Sequence, residues 1–280
     1  MTDPARASST DAPATTARVG AAVGAGAPSR PRPALEVAVT SLAGARVALE
    51  GGADRVELCS ALELGGVTPS QGLADLVVGA GLPVHALVRC RAGGFDFDAD
   101  ELAVMLREVR ALVATGVAGV VVGALRPEGS LDEEALARLR DAAGPSVEVT
   151  VHRAVDRSAD PVASVARLAA LGVHRVLTSG GASRVADGLA AGTIAAMVRA
   201  AGPVQVMAGG GVRVDDVPGL ASAGVAAVHL SASRLVGPGH DGGPAEARRP
   251  VSLGSAASDS HPVTDLAGVR AARRALDALG

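Results

Sequence analysis

Eight times between Leu35 and Ser231 a short apolar run gives way to a stretch of helical composition. No other feature of this 280-residue chain limits its fold so strongly. The runs are Leu35–Val39, Arg55–Cys59, Pro83–Arg89, Gly119–Gly123, Val147–His152, Arg175–Thr178, Val204–Ala208 and Ala227–Ser231. Between them lie patterns such as Asp100–Thr115, Leu131–Ala143, Pro161–Leu171 and Thr193–Ala201, rich in Ala, Leu, Val, Arg and Glu. Several are followed by a glycine placed to end a helix, among them Gly116, Gly144, Gly172, Gly202 and Gly224. Strands that alternate with helices form parallel βαβ units. Eight such units in residues 34–280 predict a single (β/α)8 TIM barrel, closed by a last helix over Asp265–Leu279. The rival is an open doubly wound sheet. It would want a glycine-rich turn after the first strand, which instead ends Ala38-Val39-Thr40-Ser41.

Two segments stand outside this rhythm. Residues 1–33 are dominated by Ala, Thr, Ser and Pro and carry four Arg against two Asp. Such a stretch buries too little apolar surface to offset its ordering entropy, so it is expected to be a disordered tail. The connection from Ala232 to Pro262 is long and rich in Gly, Pro, Arg and Ser, as functional or mobile loops are.

Composition narrows the chemistry. The 26 basic and 29 acidic residues give a net charge of -3, which leaves no excess of cation for a nucleic-acid backbone. All 26 are arginine. Without lysine there is no Schiff base, no pyridoxal-phosphate anchor and no P-loop. Tyr and Trp are absent and Phe95 and Phe97 stand alone, so base-stacking platforms have nothing to be built from. No run is apolar enough to span a membrane, no secretory h-region is evident, and two cysteines make no disulfide framework. A reduced, cytoplasmic protein is expected, and a homo-oligomer is compatible with this reading.

Strand parity then separates polar from apolar residues. Glu57 and Cys59 share one face of their strand, opposite Val56 and Leu58. His85, Leu87 and Arg89 share another, as do Glu148, Thr150 and His152, and His229 with Ser231. Glu36 lies near the start of the first strand. The apolar set belongs under the helices, so the polar set points into the barrel. Buried charge costs several kcal/mol unless paired or solvated, which places Glu57, His85, Arg89, His152 and His229 toward the C-terminal mouth where barrel enzymes keep their sites. The plainer reading is a set of satisfied pairs filling the tube. Arg153 and Asp156 follow the fifth strand. Glycine-rich turns follow the sixth (Ser179-Gly180-Gly181) and seventh (Gly209-Gly210-Gly211), and Ser231 closes the eighth. On this pattern Glu57, His152, His229 and Asp156 are candidate acid/base groups. Arg89, Arg153, Ser179, Gly180, Gly209, Gly211 and Ser231 are candidates for gripping a small anionic ligand.

At these residues the chain resembles the CutC family, named for copper homeostasis. The resemblance lies in Gly52-Ala53-Asp54-Arg55-Val56-Glu57-Leu58-Cys59, Gly65-Gly66-Val67-Thr68-Pro69-Ser70, His152-Arg153-Ala154 with Asp156, Arg175-Val176-Leu177-Thr178-Ser179-Gly180, and Met207-Ala208-Gly209-Gly210-Gly211-Val212. It covers about Leu35 to Ser233 and implies a (β/α)8 barrel, a cytoplasmic location and a link to copper tolerance or Cu(I) binding. Family members commonly carry cysteine in the first strand after the glutamate, where this chain has Ala38 and Val39, and Gly94 replaces an aspartate after the third. Cu(I) prefers soft ligands. Cys59, with His85, is then what the inner face offers a copper ion, unless Cys59 is simply a small apolar core residue. Two functions follow: a copper-handling protein, or a barrel enzyme acting on a small anionic metabolite.

Overall fold

The computed structural model describes residues 32–237 and 260–279. Eight parallel strands form a closed barrel in chain order: β1 Ala34–Val39, β2 Arg55–Leu58, β3 Val84–Leu87, β4 Gly119–Val122, β5 Glu148–Val151, β6 Arg175–Thr178, β7 Gln205–Ala208 and β8 Ala227–Leu230. Helices α1 (Leu42–Glu50), α2 (Gln71–Val78), α3 (Ala99–Ala114), α4 (Glu133–Ala143), α5 (Pro161–Leu168), α6 (Val185–Ala190), α7 (Thr193–Ala200), α8 (Val217–Ala223) and α9 (Leu266–Asp277) alternate with them. This is the TIM barrel that the rhythm predicts, and the open-sheet rival is excluded by the β1–β8 pairing.

Several strands are a residue or two shorter than their apolar runs. The third begins at Val84 because Pro83 has no N–H to give the ladder, and it ends before Arg89, whose N–H turns aside to Thr68 Oγ1 at 2.9 Å. Helix ends follow the local chemistry. Asp98, Asp132, Asp160 and Asp265 each accept from a backbone N–H of the first turn, and Gly172 and Gly224 close their helices at φ +68 and +89°.

The helix-facing parity set, including Val37, Val56, Leu58, Ala86, Val120, Val149, Val176, Val206 and Val228, is buried in one continuous core with the inner faces of the helices. At about 1.5–3 kcal/mol for each large side chain, this layer is the main source of stability. Inside the barrel, apolar packing is confined to two patches, Cys59 with Leu87 and Val121, and Leu177 with Met207 and Ala227. Apart from small residues such as Ala38, most of the remaining inward side chains are polar.

The expected tail over residues 1–33 lies outside the described residues up to 31. Pro33 is buried, and Arg32 pairs with Asp277 of α9. The two ends of the 232–262 connection pair antiparallel as β9 (Ser233–Val236) and β10 (His261–Thr264), and its middle, 238–259, lies outside the described residues. Among the described residues no helix is long and apolar enough to cross a membrane.

Candidate functional site

Register decides which polar residues meet. Glu36 of β1 is level with Arg55 of β2 on one side and His229 of β8 on the other, and Glu57 is level with His85 of β3. Glu36 is wholly buried. It is paired with Arg55, and its Oε1 lies 2.8 Å from His229 Nδ1. The opposite edge of the same imidazole, Nε2, lies 3.5 Å from Glu57 Oε2. The result is a chain of alternating charge, Arg55–Glu36–His229–Glu57, running from the barrel core to its mouth.

The electrostatics follow from this order. Burial alone would raise Glu36, but the hydrogen bond to His229 and the charges of Arg55, His229 and His85 hold it well below the usual carboxylate range. Glu57 has no arginine beside it. Burial raises it to about 7, with His229 opposing and the charge of Glu36 adding to the rise. Burial depresses His229, yet Glu57 and Glu36 more than offset this and lift it above its ordinary value. Glu57 and His229 therefore form a coupled pair in which both groups are shifted toward holding their protons, while Glu36 stays ionised and fixes Nδ1–H as the tautomer of its neighbour.

Glu57 and His229 form the floor of a cavity of about 590 Å³ at the C-terminal mouth. Arg89, His152, Arg153, Gly211, Ser231 and Cys59 line the same cavity, so eight of the residues singled out from the sequence come together. Gly65, Gly66 and Phe95, from the loops after β2 and β3, complete the wall. Sequence reasoning passed over them because loops carry no parity.

Arg89 is buried and has no carboxylate partner among the described residues. Its Nη1 donates to the carbonyls of Leu64 (3.2 Å) and Gly66 (2.8 Å), and its Nη2 to that of Gly93 (2.8 Å). The guanidinium is thereby oriented while its charge stays uncompensated. His152 takes its position from Gly123, where a Cβ would fall 2.2 Å from the ring. Its Nδ1 accepts from the N–H of Ala154 at 3.1 Å, and burial together with Arg89 depresses it to about 3. It is a neutral imidazole near neutrality and carries its proton on Nε2.

Other expectations need correction. Asp156 accepts from Arg153 Nε (2.8 Å), from Ser179 N and Oγ (2.9 and 2.8 Å), from Gly181 N (3.0 Å) and from Thr178 Oγ1. A carboxylate so fully engaged positions Arg153 and the β6 turn and has little capacity left for proton transfer. Ser179 is consumed by the same network. Gly180 is packed against Gly188 and Ile194, and Gly209 makes room for Leu177 and His229. These three shape the turns and do not line the cavity. Arg55 and Arg175, which sequence reasoning missed, face inward from the first positions of β2 and β6. Arg175 donates to Glu148 (2.9 Å), Gln205 (3.0 Å) and Thr150 (3.3 Å), plugging the lower barrel. Their parity with Glu57 and Leu177 was the available signal.

The residues do not fit a copper centre. His85 lies beneath the floor beside Arg175 and does not line the cavity. It is depressed to about 4, by burial first and with Arg175 and Arg55 contributing. Burial, with Glu57 and Glu63, pushes the Cys59 thiol up, and tight Cu(I) binding wants a thiolate. Among the described residues no group of three His, Cys, Asp or Glu is placed to hold a metal ion.

From the first residue of β1 into β9, residues 34–234, the sequence matches the profile of the CutC family. The chain belongs to the CutC family. Every residue lining the cavity falls within the CutC match. A CutC-family protein of Xanthomonas campestris is 46% identical over 201 residues, spanning 71% of this chain and 82% of its own. One from Sinorhizobium medicae is 41% identical over 250 residues, spanning 88% and 96%. A crystal structure named for the copper homeostasis protein CutC of Streptococcus agalactiae matches with a TM-score of 0.64 at 27% identity, covering 71% of this chain and 98% of that one. A phosphoenolpyruvate phosphomutase from Streptomyces platensis, at 19% identity and a TM-score of 0.51, shares the barrel fold alone.

Proposed function

We propose that this CutC-family barrel is a cytoplasmic enzyme that performs acid–base chemistry on a small anionic metabolite at the β-barrel mouth. The observation that carries the reading is the Glu57–His229 pair, 3.5 Å apart at the floor of a cavity of about 590 Å³, with burial raising Glu57 to about 7 and the two neighbouring carboxylates lifting His229. Residues poised in this way serve proton transfer and contribute little to a structural core. Glu36 acts as the positioning residue for His229. Arg89 and Arg153 reach the same cavity and suit an anionic group. Without lysine the chemistry runs without a Schiff base.

Family membership and the name of the streptococcal relative support a second reading, a part in copper homeostasis. Cys59 in the cavity wall is the residue that favours direct copper contact. Both readings are tested by ligand-dependent melting. Phosphate, sulfate or small carboxylic acids at 100 Kd should add about 2.7 kcal/mol of stability to the wild type and much less to Arg89→Met. No anion effect in either protein would overturn the enzyme reading. In an anaerobic titration against a strong Cu(I) chelator, the donor set predicts weak binding that is lost in Cys59→Ser. Tight binding would restore the copper reading.

A further inference from the structure

Two buried hydrogen-bond donors in this cavity wall have no acceptor among the described residues. Nε2 of His152 and Nε of Arg89 find no partner there, in residues at least nine-tenths buried. An orphaned buried donor costs about 1–3 kcal/mol, and two adjacent ones are not a packing accident that a core tolerates readily. They belong to one assembly. The Phe95 ring lies 4.8 Å from the His152 ring, and the Arg89 guanidinium stacks over the other end of the contact, 5.1 Å from the Phe95 centroid. Phe95 thus lies against both side chains, just after the Gly93-Gly94 turn. Arg89, Phe95 and His152 all line the cavity.

The character of the donors says what that oxygen is. The Ala154 N–H at Nδ1 forces the His152 proton onto Nε2, so the ring donates a hydrogen bond without giving up a proton. A neutral imidazole beside a guanidinium suits an oxygen on which negative charge develops during the reaction. We propose that His152 and Arg89 form an oxyanion site for a carbonyl substrate, whose α-proton is exchanged by the Glu57–His229 pair. This deepens the acid–base reading and rests on it. In the step, Glu57 takes the proton from the carbon next to the carbonyl. The C–H electron pair becomes a C=C bond, and the C=O π pair moves onto oxygen, which accepts from the two N–H groups. Returning the proton to the neighbouring carbon, with the enediolate hydroxyl proton passing through His229, completes an isomerisation without cofactor or net redox change. The substrate class is an α-hydroxy carbonyl compound bearing an anionic group.

The test compares inorganic phosphate with phosphoglycolohydroxamate, a stable mimic of a phosphorylated enediolate, by calorimetry on the full chain. The hydroxamate should bind at least about tenfold more tightly than phosphate. That advantage should vanish in His152→Phe, which keeps a ring against Phe95, and persist in His152→Gln, which keeps a donor. In 15N-histidine NMR spectra of the wild type, the His152 Nε2–H signal should move downfield on hydroxamate binding and not on phosphate binding. This readout does not depend on whether a variant folds. Equal affinity for both probes, with an unmoved His152 signal, would overturn the oxyanion site and leave the anion reading standing. Failure of both probes to bind would overturn both.

Discussion

At the scale of single residues, the fate of each inward charge is set by its nearest partner. Glu36 and Glu57 are two carboxylates on adjacent strands, and one is held ionised by its hydrogen bond to His229 and the charge of Arg55 while the other is raised to about 7 by burial. The sign of the pH effect follows. In the unfolded chain Glu57 loses its proton near 4.5, whereas the folded protein keeps it to about 7. Its contribution to stability therefore falls as pH rises through that window and is fully lost above it. In Glu57→Gln that loss is absent. Its stability relative to the wild type should climb by about 2–3 kcal/mol between pH 4.5 and 7.5 in denaturant titrations, and a flat difference would refute the burial of an ionisable Glu57. Arg89→Met behaves differently. It strands carbonyls and no carboxylate, so the loss should be near 2 kcal/mol at every pH, below the 3–5 kcal/mol of a broken buried ion pair.

At the scale of elements, the loop between β3 and α3 carries Phe95 and is stitched to the helix by a few polar contacts. Asp98 accepts from Glu101 N–H (2.8 Å), Glu101 accepts from Asp98 N–H (3.1 Å), and Arg91 pairs with Glu101 while donating to the carbonyls of Gly94 (3.1 Å) and Asp96 (2.8 Å). Replacing Glu101 with Ala removes half of the capping box and releases Arg91. The expected result is a lower melting temperature, with faster amide exchange confined to residues 91–98. Exchange unchanged there, or spread over the whole of α3, would contradict this account. Just past the end of β4 the corresponding device is Gly123. A methyl group at that position occupies the space of the His152 ring, so Gly123→Ala should displace the imidazole and abolish its neutral Nε2–H signature while leaving the strand intact.

At the scale of the whole molecule, the barrel closes where β1 meets β8, through the pairs Ala34–Ala227 to Val37–Leu230. The chain just before β1 contributes to this seam. Ala34 N–H donates to Ala226 O at 2.9 Å, Pro33 is buried, and Arg32 reaches Asp277 of α9. A chain beginning at Arg32 should melt with the full-length protein. One beginning at Leu35 should melt lower by several degrees, at about 2–4 °C for each kcal/mol lost. Equal melting of the two truncations would show that the seam adds nothing.

The rhythm of apolar runs and helical stretches was enough to determine the barrel, because period 2 and period 3.6 are local properties and right-handed βαβ crossovers leave few ways to assemble eight of them. Parity likewise assigned Glu57, His152, His229 and Arg89 to the interior, since a residue's face depends only on its place in its own strand. What no strand could state alone was register and loop path. That Glu36 lies beside both Arg55 and His229 depends on the stagger between β1, β2 and β8. That Asp156 is spent on the β6 turn depends on where a loop carries it, 22 residues from Thr178 in sequence yet in hydrogen-bond contact. Charge partners set proton affinity, and in this barrel the partners come from different strands and loops. The sequence could therefore supply the candidate acids, but only the tertiary arrangement separates the one held ionised, Glu36, from the one poised near neutrality, Glu57.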